Sequence, residues 1–387
     1  MLSIAATEAE PLDTPGHVGR IPVRNLWLLM LYASDLFREI GREKVSVEDN
    51  ADDIPDLVAE ILVHAVEERL CRNLSSGFRH REAELNRVRG RIDLLTTERH
   101  QLLARGKVAC QFEELTINTP RNRYVLAALD VIAGVVRQPA LSHRCRKLAN
   151  ALKQRGVSGI RPTRAEVSTD RFGRNDANDR FMVAAAKLAL DIALPTEDEG
   201  SEFLASPARD ETWARRLFEK AVAGFYAVAL QSSGWKVHAG KPLNWQITQK
   251  TAGIGAIFPS MYTDVVLDHV DDRRRIVIDT KFTSIIKKSR FRENSLDSGY
   301  VYQIYAYLFS QTGHGDVLAD HASGLLLHPS VGEMIDETVV IQGHAIRFAT
   351  VDLTATAAEI RSQLLCMSES TFRDDRLELV KLGLNSN

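Results

Sequence analysis

Asp264, Asp279 and Lys281 have the residue types and the spacing of a metal-dependent hydrolytic site. Short apolar runs rich in β-branched residues flank a charged turn predicted at residues 270–273, and this pattern is typical of a β-hairpin. In such a hairpin Asp264 lies directly opposite Asp279, with the two Cβ atoms about 5 Å apart. Facing carboxylates repel each other unless a cation lies between them, and Mg²⁺ commonly takes one or two carboxylates together with phosphate oxygens. The spacing therefore predicts a cation between these two aspartates.

Lys281 belongs to the same strand face as Asp279, because side chains alternate between the two faces of a strand. Its ammonium group could reach a water or a phosphate beside the cation, which outlines a site for phosphodiester hydrolysis. A surface hairpin with scattered charges is the alternative reading of these three residues, since an Asp-x-Lys triplet often arises by chance.

The same pattern, an aspartate followed about fifteen residues later by Asp-x-Lys on a strand, resembles the PD-(D/E)xK nuclease superfamily. Thr263 stands where the proline of the superfamily name would be. The resemblance implies that Asp264, Asp279 and the main-chain carbonyl of Thr280 hold Mg²⁺ or Mn²⁺. It also implies that the cation polarises the phosphoryl oxygen and that Lys281 orients or activates the attacking water.

Glu219 and Gln303 complete the set of candidate site residues. Glu219 falls on a helix predicted over 211–231, where many superfamily members carry a further acidic metal ligand; a solvated place on the helix face is the alternative. Gln303 and Tyr307 are spaced i, i+4 on a helix predicted over 299–309, so they project from the same side. This Gln-x-x-x-Tyr phrase resembles the element that supports the active site in RecB-like nucleases, which implies a supporting hydrogen bond from Gln303.

The elements that must position these residues follow one another as helix, strand, hairpin, helix and strand. Besides the two helices and the hairpin, apolar runs predict strands at 235–239 and 324–328. This order predicts a central mixed sheet with helices packed against it. His328, like His269, His314 and His321, has no metal-ligand spacing and is predicted to lie at the surface or in a loop.

Six separated phrases resemble the McrC family, the nuclease subunit of the 5-methylcytosine-specific McrBC restriction system. They occur in the same order as in that family, and they are IPVRNLWLLMLYASDL (21–36), RGRIDL (89–94), CQFEELTINTPRNR (110–123), IVIDTKF (276–282), YQIYAYL (302–308) and GLLLHP (324–329). The resemblance implies a partner, a GTP-hydrolysing AAA+ ring of the McrB type that reads the modified base. It implies that this chain docks on the ring, stimulates its GTPase and cuts double-stranded, methylated DNA.

The predicted fold class is α/β, in the sense of mixed α+β. The sequence predicts a flexible tail over 1–18 and a McrC-like α+β docking domain over 19–195. The segment 196–210 contains acidic residues, glycine and proline, and it is predicted to be a linker. A PD-(D/E)xK domain, with the restriction-endonuclease-like sheet, is expected over 211–387.

Composition narrows the functional classes. The formal net charge of −2 argues against a chain coated in basic surface, so DNA contact must come from local patches or from a partner. No G-x-x-x-x-G-K-[ST] loop is present, which argues against nucleotide binding of the P-loop kind. The four cysteines are widely spaced, as in a reduced cytoplasmic protein without a zinc site. No signal peptide or membrane-length apolar run is found, so we expect a cytoplasmic protein that does not contact membranes.

The segment around Gly90 offers a candidate surface for the partner. Arg89, Arg91 and Asp93 form a basic strand-turn that could contact the ring. The alternative is a solvated strand face with Gly90 at a bulge or turn.

Two other functions of the chain also stay open, a stand-alone RecB-like DNA repair nuclease and a non-catalytic activator of the GTPase ring.

Overall fold

The computed structural model describes residues 17–18, 21–40, 53–170, 177–193, 207–287, 295–330 and 334–369. The strands are β1 (His17–Val18), β2 (Ile21–Pro22), β3 (Gly77–Leu85), β4 (Arg91–Ile92), β5 (Val108–Thr116), β6 (Trp235–Ala239), β7 (Pro242–Leu243), β8 (Met261–Tyr262), β9 (Val265–His269), β10 (Arg274–Thr280), β11 (Ile286–Lys287), β12 (Ser295–Leu296), β13 (Ser323–Ser330), β14 (Asp336–Ile341) and β15 (His344–Asp352). The helices are α1 (Val23–Ala33), α2 (Asp35–Ile40), α3 (Ile54–Arg72), α4 (Leu94–Arg99), α5 (Pro120–Val135), α6 (Pro139–Gln154), α7 (Arg164–Thr169), α8 (Ala177–Ala193), α9 (Pro207–Ala229), α10 (Ser298–Phe309), α11 (Val317–Asp320) and α12 (Ala357–Glu369). The predicted mixed α and β fold class is confirmed.

The chain divides into two compact units, one made of residues 1–54 and 197–387 and the other of residues 55–196. The first unit is built on a six-stranded mixed sheet in the order β14-β15-β13-β10-β9-β6. Strands β10, β13 and β15 run parallel, while β6, β9 and β14 pair antiparallel to their neighbours. The predicted order of helix, strand, hairpin, helix and strand is therefore observed in α9, β6, β9–β10, α10 and β13.

The hairpin that carries the candidate site has the predicted register. Its turn spans 270–273, with Arg274 pairing with His269 and Ile278 pairing with Val265. Continuing this register by one step brings Asp279 opposite Asp264. The sequence pattern alone thus determined which two side chains meet at the end of the hairpin.

Strand β10 is buried on both faces because it lies inside the sheet and helices cover it. On the face shared with Asp279, Val277 packs in one cluster with Ile304 and Leu308 of α10. Beyond the end of the strand, the ring of Phe282 meets the ring of Phe218 of α9, with centroids 5.8 Å apart. A site at the end of β10 is therefore enclosed by packed helices.

Helix α1 packs against α9 within the first unit. A Cβ atom on Gly224 of α9 would lie 1.9 Å from the main-chain oxygen of Tyr32, so the two helices approach as closely as glycine allows. Asn25 is buried, and its Nδ2 donates hydrogen bonds to the main-chain oxygens of Leu353 (2.7 Å) and Ala355 (3.0 Å). These contacts tie the start of the chain to the unit that holds the candidate site.

The observed division differs from the predicted domain boundaries. The sequence assigned 19–54 to the docking domain, whereas α1 and α2 pack with the C-terminal elements, because their apolar faces are buried there. The predicted linker 196–210 ends earlier, since α9 begins at Pro207, and proline suits the first turn of a helix. Residues 196–206, and residues 1–16 of the predicted tail, lie outside the described residues, while His17–Val18 pairs with β2.

The second unit combines an antiparallel sheet, in the order β3-β5-β4, with helices. Helix α5 begins where predicted, with the Thr119 side chain accepting a hydrogen bond from the Asn122 N–H. Arg121 is buried and donates to Asp179 at 2.9 Å, and Asp179 is fully buried. Such a buried charge is stable only when it is paired.

No helix in the described part of the chain is long and apolar enough to cross a membrane.

Candidate active site

Asp279 is the most buried carboxylate of the predicted site, with 0% of its surface exposed. Its Oδ2 atom lies 2.7 Å from Nζ of Lys281, whereas its buried Oδ1 atom receives no hydrogen bond from the described residues. Burial raises the pKa of Asp279 to about 6; the charge of Lys281 opposes this, and the nearby Asp264 and Glu219 add to it. The carboxylate thus holds one cation already and has an oxygen open for another.

Asp264 lies beside Asp279, as the hairpin register requires. Its Oδ2 atom accepts hydrogen bonds from the main-chain N–H (2.7 Å) and the hydroxyl (2.8 Å) of Thr280. These two bonds fix the carboxylate against the end of β10. The N–H and C=O of one residue in a strand point to the same side, so we expect the Thr280 carbonyl to face Asp264 as well.

Lys281 is held between a carboxylate and an aromatic ring. Its main-chain N–H donates to the oxygen of Leu327 in β13 at 3.0 Å, which continues the pairing of β10 and β13 by one residue. Its Nζ atom pairs with Asp279 and lies 5.1 Å from the ring centroid of Tyr300. A cation at this distance from an aromatic face is attracted by the ring. The side chain, 15% exposed, is held inside the site.

Glu219 of α9 contributes to the electrostatics of the same site. Burial raises the pKa of its half-buried carboxyl group, and the charge of Asp264 raises it further. Glu219 in turn contributes to the raised pKa of Asp279. The structure therefore brings the helix carboxylate into the electrostatic field of the two hairpin aspartates.

Gln303 contacts Tyr307 on the same helix. Its Nε2 atom donates a hydrogen bond of 2.6 Å to the Tyr307 hydroxyl, as the predicted i, i+4 spacing allows. Burial raises the pKa of Tyr307, and the charges of Asp279 and Asp264 add to this effect. The Gln–Tyr pair therefore borders the site, and the hydrogen bond between the two side chains lies within the helix.

The donor set is suited to a hard divalent cation. Asp264, Asp279 and the Thr280 carbonyl offer oxygen atoms only, as Mg²⁺ prefers, and the open Oδ1 atom of Asp279 needs a partner. Within the described ranges, no three His, Cys, Asp or Glu side chains are already arranged to hold a metal. A site of two carboxylates is compatible with Mg²⁺, which keeps several waters, and Glu219 would have to move closer to act as a third ligand.

Comparison with known proteins identifies the family. A family model described as "McrBC 5-methylcytosine restriction system component" matches residues 7–319. The chain belongs to this family. It is also 23% identical over 347 residues to the type IV methyl-directed restriction enzyme EcoKMcrBC of Escherichia coli (strain K12), covering 89% of this chain and 96% of that protein. The resemblance found in the separated sequence phrases is confirmed.

Solved structures from Thermococcus gammatolerans are more distant. The refined half-complex from a tetradecameric assembly of McrB AAA+ hexamers with bound McrC matches with a TM-score of 0.42 and 13% identity, over 89% of this chain and 76% of that chain. The cryo-EM structure of the McrBC complex from the same organism matches with a TM-score of 0.31 and 16% identity, over 43% and 50%. The family assignment rests on the sequence matches.

Sequence reasoning did not single out Tyr300, which contacts Lys281, and it did not predict the burial of His328, whose ring lies 5.8 Å from that of Tyr300. His328 was predicted to lie at the surface or in a loop; that prediction is wrong, because the residue is 2% exposed within β13. Strand β13 pairs with β10 only after the intervening α10, so no local spacing connects His328 with Lys281. The single available signal was its place at the end of the apolar run GLLLHP.

The basic strand-turn at residues 89–93 bends at Gly90 in the structure, and both of its arginines are exposed. Asp93 caps α4 by accepting from Thr96, and Arg89 lies over the ring of Phe112, 4.2 Å from its centroid. Gly90 has φ = 68° and leaves no room for a Cβ atom, so it fits the predicted turn. Arg91 is exposed and remains a candidate for contact with a partner.

Proposed function

We propose that this chain is the DNA-cutting subunit of its restriction system, a Mg²⁺- or Mn²⁺-dependent endodeoxyribonuclease. The observation that carries the proposal is the pair of Asp264 and Asp279 at the end of one hairpin, where Asp279 is buried with an open oxygen. Lys281 beside them completes a set that suits phosphodiester hydrolysis. A structural ion pair between Asp279 and Lys281 would leave the Oδ1 atom of the buried carboxylate without a partner among the described residues.

The side chains divide the work of hydrolysis. Asp264, Asp279 and the Thr280 carbonyl would hold the cation, which supplies Lewis-acid activation of the phosphoryl oxygen and of a water. Lys281 would orient the attacking water and offset the negative charge that develops at phosphorus. Because the pKa of Asp279 is raised to about 6, the metal-free chain holds a proton on this carboxyl group below that pH, and cation binding there would release it.

Glu219 and Gln303 would act at the border of the site. Glu219 approaches the hairpin from α9, and its carboxylate would become a third ligand if the side chain moved towards the cation. Gln303 and Tyr307 would support the carboxylates from α10, since the Tyr307 hydroxyl is within their electrostatic field. We therefore retain all the residues predicted for the site, with Gln303 in a supporting role.

The proposed partner is an AAA+ GTPase of the McrB type, and the proposed substrate is double-stranded, methylated DNA. The family description names a 5-methylcytosine restriction system, and the sequence holds no P-loop motif of its own. A net charge of −2 gives the chain little attraction for DNA, which favours delivery of DNA by a partner. We propose that the unit 55–196 docks on the ring through a surface that includes Arg91, and that the complex works in the cytoplasm.

Reconstitution tests this proposal. The full chain is combined with the AAA+ protein encoded beside it, and cleavage of methylated and unmethylated duplex DNA is followed with GTP and Mg²⁺. We expect GTP-dependent cutting of the methylated duplex, and almost no cutting by the isolated chain. Robust cutting without partner or GTP would instead identify a stand-alone nuclease. Stimulated GTP hydrolysis without any cutting would identify a non-catalytic activator.

A further inference from the structure

Lys281 is contacted by an aromatic residue from a different element, Tyr300 of α10. The lysine Nζ atom lies 5.1 Å from the centroid of the Tyr300 ring. The same ring lies 5.8 Å from the ring of His328, at an interplanar angle of 51°. The ring of Tyr300 therefore lies between the ammonium group of Lys281 and the ring of His328 in β13.

His328 also makes a hydrogen bond to the segment that follows β10. Its Nδ1 atom lies 2.9 Å from the main-chain oxygen of Thr283. A carbonyl oxygen can only accept a hydrogen bond, so Nδ1 carries the proton and donates. Because His328 is 2% exposed, this bond is shielded from competing water.

The path of the chain after β10 depends on two bonds to β13. Strand β10 ends at Thr280, after which Lys281 donates its N–H to Leu327 and Thr283 accepts from His328. A lysine side chain has a flexible four-carbon stem, and its ammonium is located only as well as its backbone and its neighbours allow. The His328 bond fixes the backbone, and the Tyr300 face restricts the ammonium.

We propose that Tyr300 and His328 are positioning residues for Lys281, with His328 anchoring the segment 281–283 and Tyr300 retaining the ammonium beside Asp279. The proposal rests on the proposed function of Lys281. The ring attracts the ammonium independently of the Asp279 charge, so the lysine stays in the site when that carboxylate is engaged by another group. Neither residue needs to touch DNA or the cation for this role.

Paired substitutions separate positioning from general stability. Tyr300→Phe keeps the aromatic face and Tyr300→Leu removes it; His328→Asn keeps a donor that can reach Thr283, and His328→Leu removes it. His344→Leu is a matched control, because His344 is equally buried at 2% and its Nδ1 atom lies 2.7 Å from the oxygen of Ala322. Tyr305→Leu is the control on the same helix, since Tyr305 stacks on Phe309 instead.

The first measurement needs neither metal nor DNA. The lysine Nζ resonances of the metal-free full chain are recorded by nitrogen-15 NMR, and the Lys281 signal is identified by its loss in Lys281→Met. We expect a protected signal in the wild type, in both conservative variants and in both controls. Tyr300→Leu and His328→Leu should lose or shift it, and an unchanged signal in both would overturn the proposal.

The second measurement uses the complex with the AAA+ partner, GTP, Mg²⁺ and methylated duplex DNA. We expect kcat to fall about 10- to 100-fold in Tyr300→Leu and His328→Leu at unchanged KM for DNA, a loss typical of an orienting group near a metal site. The conservative variants should recover most of it. If His328→Leu does not fold, the half-buried Tyr300→Leu carries the test.

The outcomes distinguish this proposal from the function on which it rests. Full cutting by Lys281→Met would refute the role of the lysine itself, and with it the proposed function. An inert Lys281→Met beside fully active, folded Tyr300→Leu and His328→Leu would refute the positioning role alone. A loss in His344→Leu as large as that in His328→Leu would show a stability effect and would also refute it.

Discussion

Burial of the Asp279 carboxyl group at the centre of the site makes its ionised form unfavourable. The group is fully buried, its Oδ1 atom has no donor among the described residues, and its pKa is raised to about 6. An ordinary aspartate titrates near 3.8, so burial disfavours the charged form that metal binding requires. Lys281 offsets part of this cost at 2.7 Å, and a divalent cation would offset more.

This cost predicts a pH dependence of stability in the metal-free chain. Between pH 4 and 6 the unfolded state has already released the Asp279 proton while the folded state still holds it, so the free energy of unfolding falls as pH rises through this window. Asp279→Asn has no such proton. We expect the free energy of unfolding of Asp279→Asn, relative to that of the wild type, to increase by up to about 3 kcal/mol from pH 4 to pH 6.

Urea unfolding in EDTA, followed by tryptophan fluorescence, measures this difference. All four tryptophans, at 27, 213, 235 and 245, belong to the unit that holds the site. If the difference in the free energy of unfolding between the two proteins stays constant from pH 4 to 7, Asp279 is not buried as the structure has it. Added Mg²⁺ should stabilise the wild type and leave Asp279→Asn unchanged.

The individual site residues were predictable to different degrees. Asp264 and Asp279 could be paired because hairpin register follows from a short turn. The contact of Lys281 with Tyr300, and the bond from His328 to Thr283, could not be predicted in this way. They join elements separated by a helix, and only the packed sheet sets their distances.

At the scale of elements, α1 packs closely against α9. Gly224 of α9 lies against the main chain of Tyr32 in α1. Asn25, also in α1, joins that helix to the loop after β15 by a hydrogen bond. Helix α9 also carries Glu219 and Phe218, which face the end of β10. Helix α1 therefore supports the element that carries Glu219, the proposed third carboxylate.

Gly224→Ala tests this support. The added methyl group would meet the Tyr32 oxygen at 1.9 Å and force the two helices apart, so we expect a loss of roughly 1–3 kcal/mol in the free energy of unfolding. Gly134→Ala in α5 is the matched control, because nothing lies within 4 Å of its Cβ position. It should be neutral or stabilising by up to about 1 kcal/mol. Equal effects in calorimetry would contradict the close packing of α1 on α9.

The order of elements was predictable, and the grouping of elements was not. Apolar periodicity predicted α9, the hairpin and α10, with bounds close to those observed. Periodicity also showed that α1 has a buried face, but it could not show which partner buries that face. Residues 19–54 were therefore predicted to form one docking domain together with residues 55–195.

At the scale of the whole molecule, a candidate nuclease site is combined with a nearly neutral chain. The net charge of −2 supplies no general attraction for a polyanion, and exposed arginines such as Arg91 lie in the unit 55–196. We propose a division of labour in which the unit 55–196 contacts the partner and the unit that holds the candidate site cuts DNA. Loss of cutting should then leave stimulation of the partner intact.

The most direct test measures both activities in one reconstituted complex with Asp279→Ala, which removes the carboxylate but not the docking unit. Cleavage of methylated duplex DNA and GTP hydrolysis by the AAA+ partner are followed together. We predict that cleavage falls below detection while stimulation of GTP hydrolysis stays within about twofold of the wild type. His344→Leu, altered in the same unit but away from the site, should retain both. Full DNA cleavage by Asp279→Ala would contradict the account.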